Sequence, residues 1–222
     1  PKQLWSLFTV EMWERFCFYG MRGVLTYFMV DQLLLKDDVA NLQYGAIQAF
    51  VYAFTFIGGI FADKILGFKK SLFFGGMVMI LGNLLIAIAP KEMFYYGIAF
   101  SIIGTGFFKP NVSSMVGELY HEDDPRRDAG YGMFYAGINI GGFLGGILCI
   151  YLGKYYSWQL CFLASAIVMV LGLLTFLFTK NKLGPIGNSP LSHLPKTKRL
   201  SKEILVYALS LLSIPLIFIM VK

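Results

Sequence analysis

The chain has 222 residues, of which 57% are apolar or aromatic and only 14% are charged, and its mean hydropathy is +0.64. Soluble domains carry about a quarter charged residues, so this composition excludes an ordinary soluble domain and indicates an integral membrane protein. The net charge of +6 resides mainly in segments between apolar runs, which favours loops flanking a lipid bilayer over a nucleic-acid-binding surface.

Six apolar segments long enough to cross a bilayer follow one another along the chain, at roughly 5–29, 43–63, 71–89, 95–119, 131–152 and 158–179. A polar segment rich in lysine, glycine and proline follows, and then a further apolar run. We therefore predict an all-α membrane protein with three parts. These are a six-transmembrane-helix bundle at 1–179, a basic cytoplasmic linker at 180–203 and an additional apolar helix between bundles at 204–222.

The distribution of basic residues predicts the orientation of the bundle. If the amino terminus is cytoplasmic, twelve basic residues fall in cytoplasmic segments and three in external ones, as the positive-inside rule requires. We expect a multi-pass protein of the cell (inner) membrane with its amino terminus in the cytoplasm. Many secondary transporters pair two six-helix halves, so we also expect a carboxy-terminal six-helix half beyond this chain.

The first helix carries four charges within its apolar stretch. At 100° per residue they share an arc of about 140° with Tyr19, and the charged residues are Glu11, Glu14, Arg15 and Arg22. Each charge at the membrane centre costs about 2.5–3.5 kcal/mol on insertion scales. The group could merely hold helices together as an ion network. A carboxyl whose partner leaves can instead exchange a proton near neutral pH, which favours a role in proton coupling.

The second segment places Tyr44, Gln48, Tyr52 and Thr55 on one polar stripe. Such a stripe could form hydrogen bonds with neighbouring helices or line a binding site.

The second segment is followed by "GIFADKILGFKK" from Gly59 to Lys70. Its lysines fit a generic basic loop, but the acid at the helix end, Asp63, does not. An aspartate there can pair with a base or a helix amino terminus in one conformation and so bias gating.

The fourth segment holds one intramembrane lysine, Lys109. Pro110 disfavours α-helical geometry at Lys109 and removes a backbone donor. The ammonium could snorkel to an interface, but its position in the middle of the segment makes this difficult. It could instead bind a carboxylate of the substrate or pair with Glu11 or Glu14.

The fifth segment has glycines at steps of four, which predicts a close-packing face at Gly137, Gly141 and Gly145. Asn139 lies between them, and a lone amide in the bilayer needs hydrogen-bond partners. From the residues alone its role is structural.

Two other features of the sequence carry no functional prediction. "HEDDPRRDAG" at 121–130 is expected to be a solvated loop, and the three cysteines suggest neither a disulfide framework nor a metal site.

Several of these motifs match one family. The pattern Glu11-x-x-Glu14-Arg15-Phe16 resembles the signature of the proton-dependent oligopeptide transporter (POT) family of the major facilitator superfamily. "TGFFKPNVSS" at 105–114 and "YGMFYAGINIGGF" at 131–143 are similar to its fourth and fifth helices. The segment from Gly59 to Lys70 resembles the loop between the second and third helices of that superfamily. The family often has two tyrosines where this chain reads Phe18-Tyr19, which puts one detail of peptide contact in doubt.

The resemblance implies a symporter of di- and tripeptides with protons as coupling ion and no bound cofactor. It assigns proton coupling to Glu11, Glu14, Arg15 and Lys109. It assigns substrate binding to Tyr19, Arg22, Tyr52, Lys109 and Asn139, and gating to Asp63. An acidic group for the peptide amine is expected from the second half.

Two alternatives to peptide symport are a different cargo on the same fold and a membrane enzyme. Arg22 and Lys109 would suit nitrate or another organic anion on the same fold, whereas two glutamates beside Arg15 favour proton symport. A multi-pass membrane enzyme is disfavoured because no histidine lies mid-membrane and no nucleophile–base group or metal-ligand set is evident.

Overall fold

The computed structural model describes residues 1–222 and is almost entirely helical, which confirms the predicted class. A π-helical turn, Ala62–Leu66, extends α2, and two 3-10 turns, Lys180–Leu183 and Pro190–His193, follow α6. The α-helices are α1 (Gln3–Asp31), α2 (Asp37–Phe61), α3 (Phe68–Ile88), α4 (Phe94–Glu118), α5 (Arg127–Tyr155), α6 (Trp158–Thr179), α7 (Lys196–Leu212) and α8 (Ile214–Val221).

Five helical segments are long and apolar enough to cross a membrane by length and composition: α2 with its π turn, α3, α5, α6, and α7 together with α8. Helices α1 and α4 fall outside that set because they carry buried polar and charged side chains. More than half of the residues of each are buried within the bundle. Helices shielded from lipid by their neighbours do not need an apolar surface all round, which explains their lower hydropathy.

The glycine face of α5 packs against α1, as its spacing predicts. A Cβ atom at Gly141 would clash with the carbonyl oxygen of Met12, and one at Gly145 would clash with that of Phe16. The two backbones therefore approach too closely for any side chain at these positions. This crossing holds the charged segment of α1 against α5 over several turns.

The prediction that Pro110 disturbs the helix at Lys109 is wrong, because α4 runs without interruption from Phe94 to Glu118. The residue one turn earlier is Gly106, which packs against the backbone of α2 at Phe54. The hydroxyls of Ser113 and Ser114 donate to the carbonyl of Pro110 at 2.9 and 3.1 Å. The group that Pro110 leaves without an amide donor is the carbonyl of Gly106, which packs against α2 at Gly58. Close contact with a neighbouring helix of this kind lets a membrane helix tolerate proline.

The last helix differs from the expected single span at 204–222. It begins at Lys196, inside the segment predicted as linker, because one face of that segment finds partners on the bundle. Glu203 is buried and accepts a hydrogen bond from the Lys70 ammonium at 2.5 Å. The ring of Tyr207 packs on that of Phe74 with centroids 4.6 Å apart. The helix then breaks at Ser213, where Pro215 starts α8 at a position that tolerates proline.

The rest of the linker is docked on the end of the bundle at which α3 begins and α6 ends, here called the basic end. The Lys69 ammonium donates to the carbonyl of Gly184 at 2.6 Å, and the Ser189 hydroxyl donates to the carbonyl of Ile65 at 2.5 Å. Gly67 has a φ of 77° and lies against the backbone of Asn188 and Ser189. The linker is therefore an ordered part of the bundle.

Candidate functional site

The charged residues of α1 form one buried cluster, as predicted from their helical angles. Glu11 and Glu14 are 3% and 0% exposed, and Arg15 between them is 1% exposed. The Arg15 Nε atom lies 3.0 Å from Glu11 Oε1, and its Nη2 atom contacts Glu14 Oε2. Lys109 of α4 forms no ion pair with either glutamate, and its charge acts on them from a longer distance. Arg15 is therefore the base that pairs directly with both acids, and Lys109 adds a second, more distant positive charge.

The cluster retains unused acceptors. Glu11 Oε2 and Glu14 Oε1 are buried and have no hydrogen-bond partner among the protein atoms. A carboxylate oxygen left without a donor in a medium of low polarity is costly and gains from binding a proton. The arrangement can therefore hold a proton at a glutamate without disturbing the other ion pair.

Phe18, where the family often has a second tyrosine, does not face an open surface. Its side chain is 3% exposed and packs edge-on against Tyr19, with ring centroids 5.3 Å apart. The Arg15 guanidinium lies 5.2 Å from the Phe18 ring centre and 5.9 Å from that of Tyr19. The missing hydroxyl thus changes the surroundings of Arg15 rather than an exposed contact surface.

A cleft of about 530 Å³ opens between α1 and α2, above the buried cluster. Arg22 reaches across it, and its Nε atom donates to the Tyr44 hydroxyl at 2.7 Å. This volume is in the range of small-molecule sites. The cleft combines one cation with several hydroxyl and amide groups, and its lining residues are Tyr19, Arg22, Gly23, Thr26, Tyr27, Asn41 and Tyr44.

Lys109 and Tyr52 meet on the neighbouring surface. The Lys109 ammonium lies 5.6 Å from the centre of the Tyr52 ring, a cation–π distance. Lys109 is half-buried and Tyr52 is 63% exposed, so both remain accessible at the surface. The surface that carries the cleft and these two side chains is here called the open side of the bundle. Four of the predicted binding residues thus come from three neighbouring helices, α1, α2 and α4: Tyr19, Arg22, Tyr52 and Lys109. Arg22 and Lys109 each lie beside a tyrosine.

Asn139 is not brought into contact with these side chains. It is exposed on α5, and its amide donates at 3.0 Å to the carbonyl of Tyr135, one turn earlier in the same helix. The predicted need for a hydrogen-bond partner is met within the helix. Of the predicted binding residues, Tyr19 is the one that touches α5, because its ring packs against Gly142.

The loop residues lie away from the cleft. Asp63 is exposed in the π-helical turn after α2 and makes no ion pair. In the loop before α5, two hydrogen bonds from the Arg126 side chain lower the pKa of Asp124 to about 2. That pairing is local and exposed, as expected of a solvated loop, but the loop is shorter than the predicted 121–130 because α5 begins at Arg127 and Gly130 is buried in it.

Sequence reasoning left the role of Tyr44 open and did not consider Thr26, Tyr27 or Asn41. The spacing of Tyr44 and Tyr52 on one face of α2 could have singled out Tyr44. The other three residues line the cleft through the way α1 and α2 face each other. No pattern along the chain reports that arrangement.

Comparison with known proteins places the chain in a family. Residues 69–200 match the profile of the POT family. The chain is 39% identical over 196 residues to an uncharacterized transporter, YclF, of Bacillus subtilis, covering 85% of this chain and 40% of that protein. It is 34% identical over 192 residues to dipeptide and tripeptide permease A of Proteus mirabilis, covering 86% of this chain and 39% of the permease.

Solved structures give the same result. A crystal structure of a peptide transporter POT in complex with sulfate superposes with a TM-score of 0.84 and 36% identity, covering 97% of this chain and 46% of that one. A POT family transporter in complex with a thioalcohol-conjugated peptide matches with a TM-score of 0.84 and 30% identity, over 99% of this chain and 46% of that one. The chain spans less than half the length of these relatives, and it belongs to the POT family of membrane transporters.

Proposed function

We propose that the full-length transporter containing this chain is a proton-coupled symporter that imports di- and tripeptides by alternating access. The single observation that carries the proposal is the buried cluster of Glu11, Glu14 and Arg15 next to a cationic, tyrosine-lined cleft. The permease of Proteus mirabilis is named for dipeptides and tripeptides, and a related structure holds a peptide conjugate.

Substrate binding is assigned to the open side of the bundle. Arg22 and Lys109 supply positive charge for the peptide carboxylate, and each is already oriented by a tyrosine. Tyr19 and Tyr52 offer a hydroxyl and an apolar ring together, which suits varied peptide side chains. Asn139 is exposed on α5, where its amide oxygen is free to accept a hydrogen bond from the peptide backbone.

Proton coupling is assigned to Glu11, Glu14, Arg15 and Lys109. When both glutamates are ionised, the two bases neutralise them. When a peptide carboxylate draws the Lys109 charge toward itself, the cluster carries one excess negative charge in a buried place. A proton on Glu14 or Glu11 removes that excess, so peptide binding and proton binding favour each other. Protons are the coupling ion, and no bound cofactor is required.

The remaining parts of the proposal concern the whole protein. The chain functions as a transporter rather than an enzyme, in the cell (inner) membrane, with its amino terminus in the cytoplasm. A carboxy-terminal six-helix half closes the cleft and provides an acid for the peptide amine. Asp63, exposed at the basic end, contributes to gating by pairing in one conformation of the cycle.

Transport in liposomes tests the coupling. The full-length transporter should accumulate a labelled dipeptide when an inward proton gradient is imposed. Glu14→Gln should abolish this uptake while leaving peptide counterflow at least partly intact, because counterflow needs binding and reorientation but no net proton movement. Glu92→Gln, the same change at an exposed loop position, is the matched control and should behave as the parent. Uptake that ignores the gradient would contradict the proposal.

A second candidate is transport of nitrate or another organic anion on the same fold. It is favoured by the two cations near the cleft, which would suit any anion. Competition between an alanyl dipeptide and nitrate in one binding assay separates the two functions. Displacement of the dipeptide by millimolar nitrate would favour the anion, and failure of nitrate to compete would favour the peptide.

A further inference from the structure

A groove of about 550 Å³ lies at the basic end of the bundle, between α3, α6, α7 and the docked linker. None of its lining residues comes from α1, α2, α4 or α5, which carry the predicted substrate-binding residues. Helices α3 and α6 are both long and apolar enough to cross a membrane. The groove is therefore bounded by apolar helices and lies away from the candidate peptide site.

Three lysines form one end of the groove. Lys69 and Lys70 begin α3, and Lys180 follows the last residue of α6. Lys70 is paired with Glu203, but Lys69 donates only to neutral oxygens of Gly184 and Asn188. Neither Lys69 nor Lys180 takes part in an ion pair, although the Glu118 carboxylate, which accepts a hydrogen bond from the amide of Gly187 at 3.1 Å, lies near enough to act on Lys69. Three lysines against Glu118 and Glu203 leave this end of the groove with a net positive charge.

The other end of the groove is apolar and runs along the helices. Phe73 and Met77 follow the lysines at one-turn steps on α3 and are 37% and 50% exposed. Phe176 of α6 is buried at its base. A free phosphate ion would gain nothing from this wall, whereas a ligand with an anionic head and a hydrocarbon tail would use both ends. Basic pockets between membrane helices at the cytoplasmic side suit such headgroups.

We propose that this groove binds one anionic phospholipid, with its phosphodiester between Lys69 and Lys180 and an acyl chain along Phe73 and Met77. The lipid would join α3, α6 and the linker at the basic end. The inference is independent of what the transporter carries, since no substrate-binding residue lines the groove.

Binding to the full-length transporter in detergent tests the proposal, with phosphatidylglycerol as the probe and native mass spectrometry as the readout. Phosphatidylglycerol should bind at least about tenfold more tightly than phosphatidylcholine, because each lysine near a lipid headgroup contributes on the order of fivefold in affinity. Glycerol 3-phosphate should not displace it at equal concentration. Equal binding of the two lipids, or displacement by glycerol 3-phosphate, would overturn the proposal.

Two pairs of variants locate the site. Lys180→Gln should weaken phosphatidylglycerol binding by about fivefold, and Lys182→Gln, in the same 3-10 turn but outside the groove, should change it by less than about twofold. Met77→Trp should fill the apolar end and weaken binding, whereas Leu81→Trp, one turn further along the exposed face of α3, should not. Equal effects within either pair would show diffuse binding to the bundle surface and would refute the groove.

Discussion

Replacing Arg15 by glutamine tests whether the α1 cluster is balanced as the structure indicates. The change preserves much of the side chain's volume and removes one of two positive charges. Glu11 and Glu14 are 3% and 0% exposed, so water cannot replace the lost partner. Lys109 remains to compensate one carboxylate. The bundle must then accommodate one excess buried negative charge or neutralise it with a proton.

The free-energy cost of binding that proton sets the expected destabilisation of the Arg15→Gln variant. At pH 7 the solution is about 2.7 pH units above the ordinary glutamate pKa of about 4.3, and each unit corresponds to 1.36 kcal/mol. Protonating one carboxyl therefore costs about 3.7 kcal/mol at pH 7 and about 1 kcal/mol at pH 5. This agrees with the roughly 3–5 kcal/mol lost when one partner of a buried ion pair is removed. The destabilisation should shrink as the pH falls.

The assay is thermal unfolding of the purified full-length transporter, followed with a thiol-reactive dye. Cys17, Cys149 and Cys161 are free and buried, so they react when the bundle opens. Domains of 150–250 residues shift by about 2–4 °C per kcal/mol, and relatives of this chain are more than twice as long as it is, which about halves that shift. Arg15→Gln should therefore lower the melting temperature by roughly 4–7 °C at pH 7 and by much less at pH 5. The double variant Glu11→Gln/Arg15→Gln should recover most of the loss.

The control is Arg126→Gln, which removes an arginine from an exposed loop pair and should change the melting temperature little. A melting temperature for Arg15→Gln within about 2 °C of the parent at pH 7 would refute the reasoning. So would a loss of equal size at pH 5 and pH 7, because the excess charge would then not be the cause.

Three further predictions concern helix packing, substrate binding and the linker. Gly145→Ala should destabilise the bundle by about 1–3 kcal/mol in the same melting assay, since its Cβ would meet the α1 backbone, whereas Gly132→Ala in the same helix has open space and should not. Lys109→Ala should weaken dipeptide binding by about tenfold or more in a calorimetric titration, and an unchanged affinity would remove Lys109 from the binding site. Gly67→Ala, strained at a φ of 77° and pressed against the linker backbone, should speed tryptic cleavage of the linker, while Gly59→Ala should leave it at the parent rate.

The features that could be read from the sequence are those set by helical periodicity within one segment. The shared arc of Glu11, Glu14 and Arg15 and the glycine face of α5 both depend on residues three or four apart, and both appear in the structure as expected. Four of the six predicted membrane helices, α2, α3, α5 and α6, also follow from hydropathy and length, whereas α1 and α4 are too polar to pass such a test.

The features that were missed depend on contacts between distant segments. Helix α7 begins before the apolar run because Glu203 finds Lys70 on α3, more than a hundred residues earlier. The cleft is lined jointly by α1 and α2, whose residues Arg22 and Tyr44 meet across it although they are 22 positions apart. The continuity of α4 through Pro110 depends on Gly106 and on the neighbouring helix. Local propensity carries no information about such partners, so these features required the three-dimensional structure.

The docking of α7 and α8 has a mechanical consequence for the bundle. Helix α7 is attached to the start of α3 through the Glu203–Lys70 pair, and the Phe218 ring of α8 stacks on that of Tyr96 of α4 with centroids 4.6 Å apart. The two helices are thus held at separate points on the bundle. They are expected to move with it as a strut rather than as a flexible tether.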